Sequence, residues 1–146
     1  MSESPWHRQV REKVFDSFKP NVLSSHTNIS KLELYRGEKK RENCLSDVDI
    51  VVLDSTNEYI TQLIEIETAM NPKKLIGIVL ATHFCDSCRL PSGQKQLIKI
   101  ALKIICKKEK DKSKKPLKLD VIKAALDEII LEIPGSVSSF HFEERP

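Results

Sequence analysis

Two β-branched runs, "VDIVVLD" (residues 48–54) and "YITQLIEIET" (residues 59–68), constrain this chain more than any other feature. Each has the length and side-chain type of a strand buried on at least one face. Only "STNE" separates them, so an antiparallel hairpin is the economical pairing. Both carry acids within the hydrophobic pattern. Side chains alternate across a strand, which puts Asp47, Asp49, Val51 and Leu53 on one face and Leu63, Glu65 and Glu67 on one face. One hairpin register brings Asp49 beside Glu65 and Glu67. Carboxylates within about 4–6 Å of one another repel unless a cation sits among them. Hard divalent ions such as Mg2+ take oxygen ligands of this kind, completed by water and phosphate oxygens. Asp47, Asp54 and Glu58, at strand ends and in the turn, read as surface residues.

Around this pair the rest of the chain arranges itself. Ser4 and Pro5 start a helix, and Trp6, Val10, Val14 and Phe18 recur every four residues along it, up to Pro20. "ISKLELYR" reads as a strand and "GEKKREN" as a turn. Asn71 and Pro72 open a second helix, "KKLIGIVLATHF", apolar on most sides and therefore largely buried. "DSCRLPSG" reads as a loop. "LIKIALKIICKK" is readable two ways, its lysines at helical spacing and its isoleucines alternating as in a strand. "EKDKSKKP" is a charged loop, "LKLDVIKAALDEIILEI" an amphipathic helix stopped by Pro134 and Gly135, and "VSSFHFEE" a short closing strand. The expected order is α-β-β-β-α-β-α-β: one domain over residues 1–146, of α/β class, with a central mixed sheet flanked by helices in three layers.

No apolar run approaches the roughly 20 residues that span a bilayer, and "MSESPWHRQVREK" lacks the apolar segment of a secretory signal. The expectation is a soluble, intracellular, cytoplasmic chain without membrane partners. The net charge is only +3, but positive charge is concentrated in "GEKKRE" and "CKKEKDKSKKPLK". Such blocks suit a polyanion such as nucleic acid, although lysine runs also simply solvate loops. His83, Cys85, Cys88 and Cys106 could form a tetrahedral zinc set, with buried free thiols or a disulfide as the competing readings.

"VDIVV" followed by "LIEIE" resembles the core motif of the PD-(D/E)xK nuclease superfamily, the fold of many restriction endonucleases and of archaeal junction resolvases. In that pattern an aspartate begins the second core strand and a (D/E)-x-K triplet ends the third. Here Glu65 lies 16 residues after Asp49. The resemblance covers roughly residues 4–106 and implies a restriction-endonuclease-like three-layer core. It implies that Asp49 and Glu65 hold Mg2+ or Mn2+, with the Ile66 backbone carbonyl as a further ligand. Glu67 stands where most members carry lysine, giving an E-x-E variant in which that glutamate binds metal or orients the attacking water. The missing lysine would then come from the following helix, and Lys73, on the side of Leu80 and Phe84, is the better placed. Glu12 matches the first-helix glutamate of many relatives. The implied activity is Mg2+-dependent endonucleolytic hydrolysis of DNA phosphodiesters, structure-selective in the manner of a resolvase or restriction-like, by a homodimer. Lys39, Lys40, Arg41, Lys107, Lys108, Lys114 and Lys115 would hold the DNA backbone. The alternatives are a non-catalytic member of the fold that binds nucleic acid or protein, and a zinc-stabilised adaptor built on "HFCDSC".

Overall fold

A computed structural model of the chain describes residues 3–25, 31–68, 71–108 and 118–146. Among these described residues it is a mixed α/β protein with three helices and two sheets. Helix α1 (Pro5–Phe18) begins as its sequence predicts, with the Ser4 hydroxyl accepting the His7 amide at 3.1 Å. Strand β1 (Val22–Ser24) follows, then β2 (Leu32–Tyr35), a single 3-10 turn (Arg41–Asn43), β3 (Cys44–Val48), β4 (Ile50–Leu53) and β5 (Ile60–Glu67). Helix α2 (Pro72–Phe84) is capped by the Asn71 side chain, which accepts the Lys74 amide at 2.8 Å. The hairpin β6 (Ser87–Leu90) and β7 (Gly93–Gln96) leads to β8 (Ile100–Lys107), α3 (Leu119–Glu132) and β9 (Val137–Arg145).

The first sheet runs β1-β4-β5-β8-β9. Its β1-β4-β5 part is antiparallel, whereas β5, β8 and β9 are parallel. The helical crossovers α2 and α3 lie between the parallel strands in the chain, as parallel pairing requires. On one face, Ile50, Val52, Ile64, Ile66 and Ile105 pack against Val10 and Val14 of α1. On the other, Val51, Leu63, Leu102 and Ile104 meet Leu75 and Val79 of α2, Ile122 and Leu126 of α3, and Leu32, Leu34, Cys88 and Leu90 of the second sheet. Burying each large aliphatic side chain in these layers contributes about 1.5–3 kcal/mol.

The second sheet, β3-β2-β6-β7, changes the expected architecture. "VDIVVLD" is not one strand. Val48 ends β3, paired with β2, and Ile50–Leu53 form β4, paired with β1 and β5. The chain passes between sheets at Asp49, so Asp47 is exposed on a different sheet from Val51. β1 and the β6–β7 hairpin were not expected: the first is three residues long, and the second is polar and carries "LPSG" at its turn. The ambiguous 97–108 segment forms a strand because its apolar residues alternate between two covered faces. The closing strand is nine residues rather than short. No helix among the described residues is long and apolar enough to cross a membrane.

Candidate active site

Because β5, β8 and β9 are parallel, their carboxyl ends lie along one edge of the sheet, the edge where α/β proteins bind ligands. Glu65 and Glu67 are the last acids of β5, opposite Ile104 and Cys106 of β8. The β4–β5 register pairs Val51 with Leu63 and Ile50 with Ile64, so its continuation brings Asp49 opposite Glu65. The two carboxyl groups shift each other's proton affinity in opposite directions. The hairpin register expected from the sequence is thus the one that forms, and it brings this pair together.

Asp49 is 8 % exposed and firmly held. Its Oδ2 accepts the Ile66 amide at 2.8 Å, and its Oδ1 lies 3.3 Å from His7 Nε2. Its backbone carbonyl accepts the Ser25 amide at 2.9 Å. Burial works against its charge, but the hydrogen bonds from Glu65, His7 and Ile66 outweigh it and keep Asp49 below the ordinary aspartate value. Glu65 is pushed the other way: burial first, then the Asp49 charge beside it, raise its carboxyl well above the ordinary range. Glu65 therefore releases its proton at a higher pH than an ordinary glutamate, and Asp49 at a lower pH than an ordinary aspartate.

Glu67, also 8 % exposed, forms an ion pair with Lys74, whose Nζ lies 2.8 Å from Oε1. Lys74, not Lys73, is the α2 lysine that reaches these acids. The buried stripe of α2 runs through Leu75, Val79 and Thr82, while Phe84 is 37 % exposed. At 3.6 residues per turn, Lys73 falls about 160° from Leu75 and Lys74 only about 100°. Taking Leu80 and Phe84 as the inward side set the helix phase wrongly, and Lys73 is exposed.

The first helix also supplies a different acid from the one expected. Glu12 lies on the exposed face of α1. Glu3, just before the N-cap, accepts two hydrogen bonds from Arg11, from Nε at 2.7 Å and Nη2 at 2.9 Å, and contacts His7 Nδ1 at 2.5 Å. The Arg11 fork holds Glu3 down to a pKa of about 2. Burial opposes a charge on His7, but the Asp49 and Glu3 carboxylates prevail and raise its pKa. Glu3, His7 and Arg11 recur at i, i+4 and i+8, one line alongside the apolar stripe, and this spacing is the signal that could have found them. Ile66 offers its amide to Asp49.

The basic blocks divide. Lys107 ends β8, its Nζ 5.8 Å from the Trp6 ring centroid on α1, and Lys108 follows it. Lys39, Lys40 and Arg41 are exposed but lie at the far end of β3 from Asp49, roughly 15 Å or more along the strand. Lys114 and Lys115 fall outside the described residues.

The cysteine motif has its own setting. His83 accepts the Val137 amide at Nδ1, 3.2 Å, and Nε2 donates to the Ile133 carbonyl at 2.6 Å, so neither ring nitrogen is offered to a metal. Cys85, Cys88 and Cys106 are free and buried, and burial pushes each thiol up to about 12. Among the described residues, no three or more His, Cys, Asp or Glu side chains are gathered to hold a metal ion as they stand.

Compared with family models, with curated proteins and with solved structures, the chain matches none.

Proposed function

We propose that this protein is a metal-dependent endonuclease with a restriction-endonuclease-like core, hydrolysing phosphodiester bonds in DNA as a homodimer. The observation that carries the reading is the Asp49–Glu65 carboxyl pair, which the β4–β5 register sets opposite each other at the carboxyl edge of the sheet. Two acids in such contact must either share a proton or take up a cation. Their donors fit a hard ion such as Mg2+ or Mn2+, which binds one or two protein carboxylates and keeps several waters. When bound, that ion would polarise a phosphate oxygen and make a bound water more acidic.

The chain's own residues have separable tasks. Asp49 and Glu65 supply the oxygen donors. Glu67 steers the attacking water and takes its proton, and Lys74 beside it offers the ammonium that the E-x-E triplet lacks. The first turn of α2 turns its amide ends toward the same edge, which favours an anionic phosphate. Lys107 and Lys108 extend the basic rim and would contact the DNA backbone.

A second reading, binding without cutting, is favoured by one observation: Glu67 is already neutralised by Lys74. Incubation with supercoiled plasmid and with a four-way junction, in Mg2+ or Mn2+, separates the two. The nuclease reading expects cleavage that is lost in Asp49→Asn and Glu65→Gln. Retained DNA binding without cleavage supports the second reading, and neither binding nor cleavage overturns both.

A further inference from the structure

Asp49 stands inside a closed ring of hydrogen bonds. From its side chain the ring passes to His7 Nε2 (3.3 Å), from His7 Nδ1 to Glu3, and from Glu3 to the Arg11 fork. Arg11 Nη1 donates to Ser24 Oγ at 3.2 Å, Ser24 Oγ donates to the Ser25 carbonyl at 2.9 Å, and the Ser25 amide returns to the Asp49 carbonyl. Arg11 and Ser24 are buried, at 4 % and 0 % exposed, and the Glu3 side chain is 7 % exposed. The ring ties three elements together, α1, β1 and the bend between β3 and β4.

The structure assigns to Glu3, His7 and Arg11 a positioning role: they hold the Asp49 carboxylate in the orientation that receives a hard divalent cation. This inference rests on the proposed metal site and adds three residues to it. The geometry explains why such a hold is needed. Asp49 occupies the bend between two sheets, outside both β3 and β4. The Ile66 amide pins Oδ2, and His7 pins Oδ1, so the carboxylate plane is fixed by two donors. Each oxygen still keeps a lone pair for a cation. His7 in turn faces a carboxylate from each ring nitrogen, and Glu3 cannot swing away while Arg11 grips both of its oxygens. Partners one shell out from a metal ligand act in this way, setting orientation without touching the ion.

Mn2+ titration by calorimetry, on folded full-length variants, tests the assignment without requiring cleavage. His7→Ala is expected to weaken Mn2+ binding about 10–100-fold, and Glu3→Gln by a smaller factor. His7→Gln, which keeps one donor toward Asp49, is expected to recover part of the loss. Val10→Ala, which trims the same helix in its apolar contact with the sheet and leaves the ring intact, is expected to bind Mn2+ within about twofold of wild type. Mn2+ affinity unchanged in His7→Ala, or lowered as much in Val10→Ala, overturns the positioning role while leaving the metal site standing. No Mn2+ binding by the wild type, or binding indifferent to Asp49→Ala, overturns the metal site and the positioning role together.

Discussion

Replacing Glu65 with glutamine removes one titratable group from the carboxyl pair and keeps a hydrogen-bond donor toward Asp49. The consequence for stability follows from the direction of the Glu65 shift. Its folded-state pKa lies well above the ordinary 4.5, because burial and the Asp49 charge disfavour the ionised form. Above that ordinary value the unfolded chain has released the proton and the folded chain still holds it. Stability therefore falls with rising pH, by about 1.4 kcal/mol per pH unit, until the folded pair lets the proton go. Asp49, held below its ordinary 3.8, is ionised in both states through this window and adds no slope. His7, raised above the ordinary 6.5, adds a slope of the same sign only as pH nears that value, and does so in both proteins. Urea unfolding at steps between about pH 5 and 6.5 then isolates Glu65, since the other groups cancel between the two proteins. Wild type is expected to lose stability relative to Glu65→Gln across the window, at the slope given, with the variant the more stable at the upper end. Parallel stability curves would refute the raised Glu65 pKa, and with it the electrostatic case for a cation between these acids.

Arg11→Met leaves Glu3 buried without its fork and is expected to cost about 3–5 kcal/mol in urea unfolding; a loss below about 1 kcal/mol would mean the pair is not buried as described. Gly135→Ala would place a Cβ 2.4 Å from the His83 carbonyl oxygen and 2.5 Å from its ring. Overpacking of this kind costs about 1–3 kcal/mol, so an unchanged melting temperature would contradict the close approach of residue 135 to α2. Under the nuclease reading, Lys74→Met is expected to lower cleavage far more than Lys73→Met, because only Lys74 contacts Glu67. Equal losses would count against that role.

What the sequence makes legible is the hairpin and its acids. The short turn between two β-branched runs points to the antiparallel pairing that sets Asp49 against Glu65, and a slip of one residue would exchange the side chains packed against α1 with those packed against α2. The change of sheet at Asp49 is not legible, since "VDIVV" has the same β-branched composition on both sides of the bend. The β6–β7 hairpin is hidden for the opposite reason: "GQKQ" is polar and forms an edge strand with mostly exposed side chains. On α2 the error lay in phase. Most positions are apolar, so the choice between Lys73 and Lys74 depends on which stripe packs, and that is decided by β-strands far away in the chain. Glu3 precedes the helix cap, where no helical pattern points to it, although it stands four residues before His7 and eight before Arg11.

Crystals soaked in Mn2+, read by anomalous scattering, test the central claim most directly. The account predicts a peak bonded to both Asp49 and Glu65, at roughly the 2.0–2.2 Å expected of a hard octahedral ion. A map without that peak at saturating Mn2+ would contradict it.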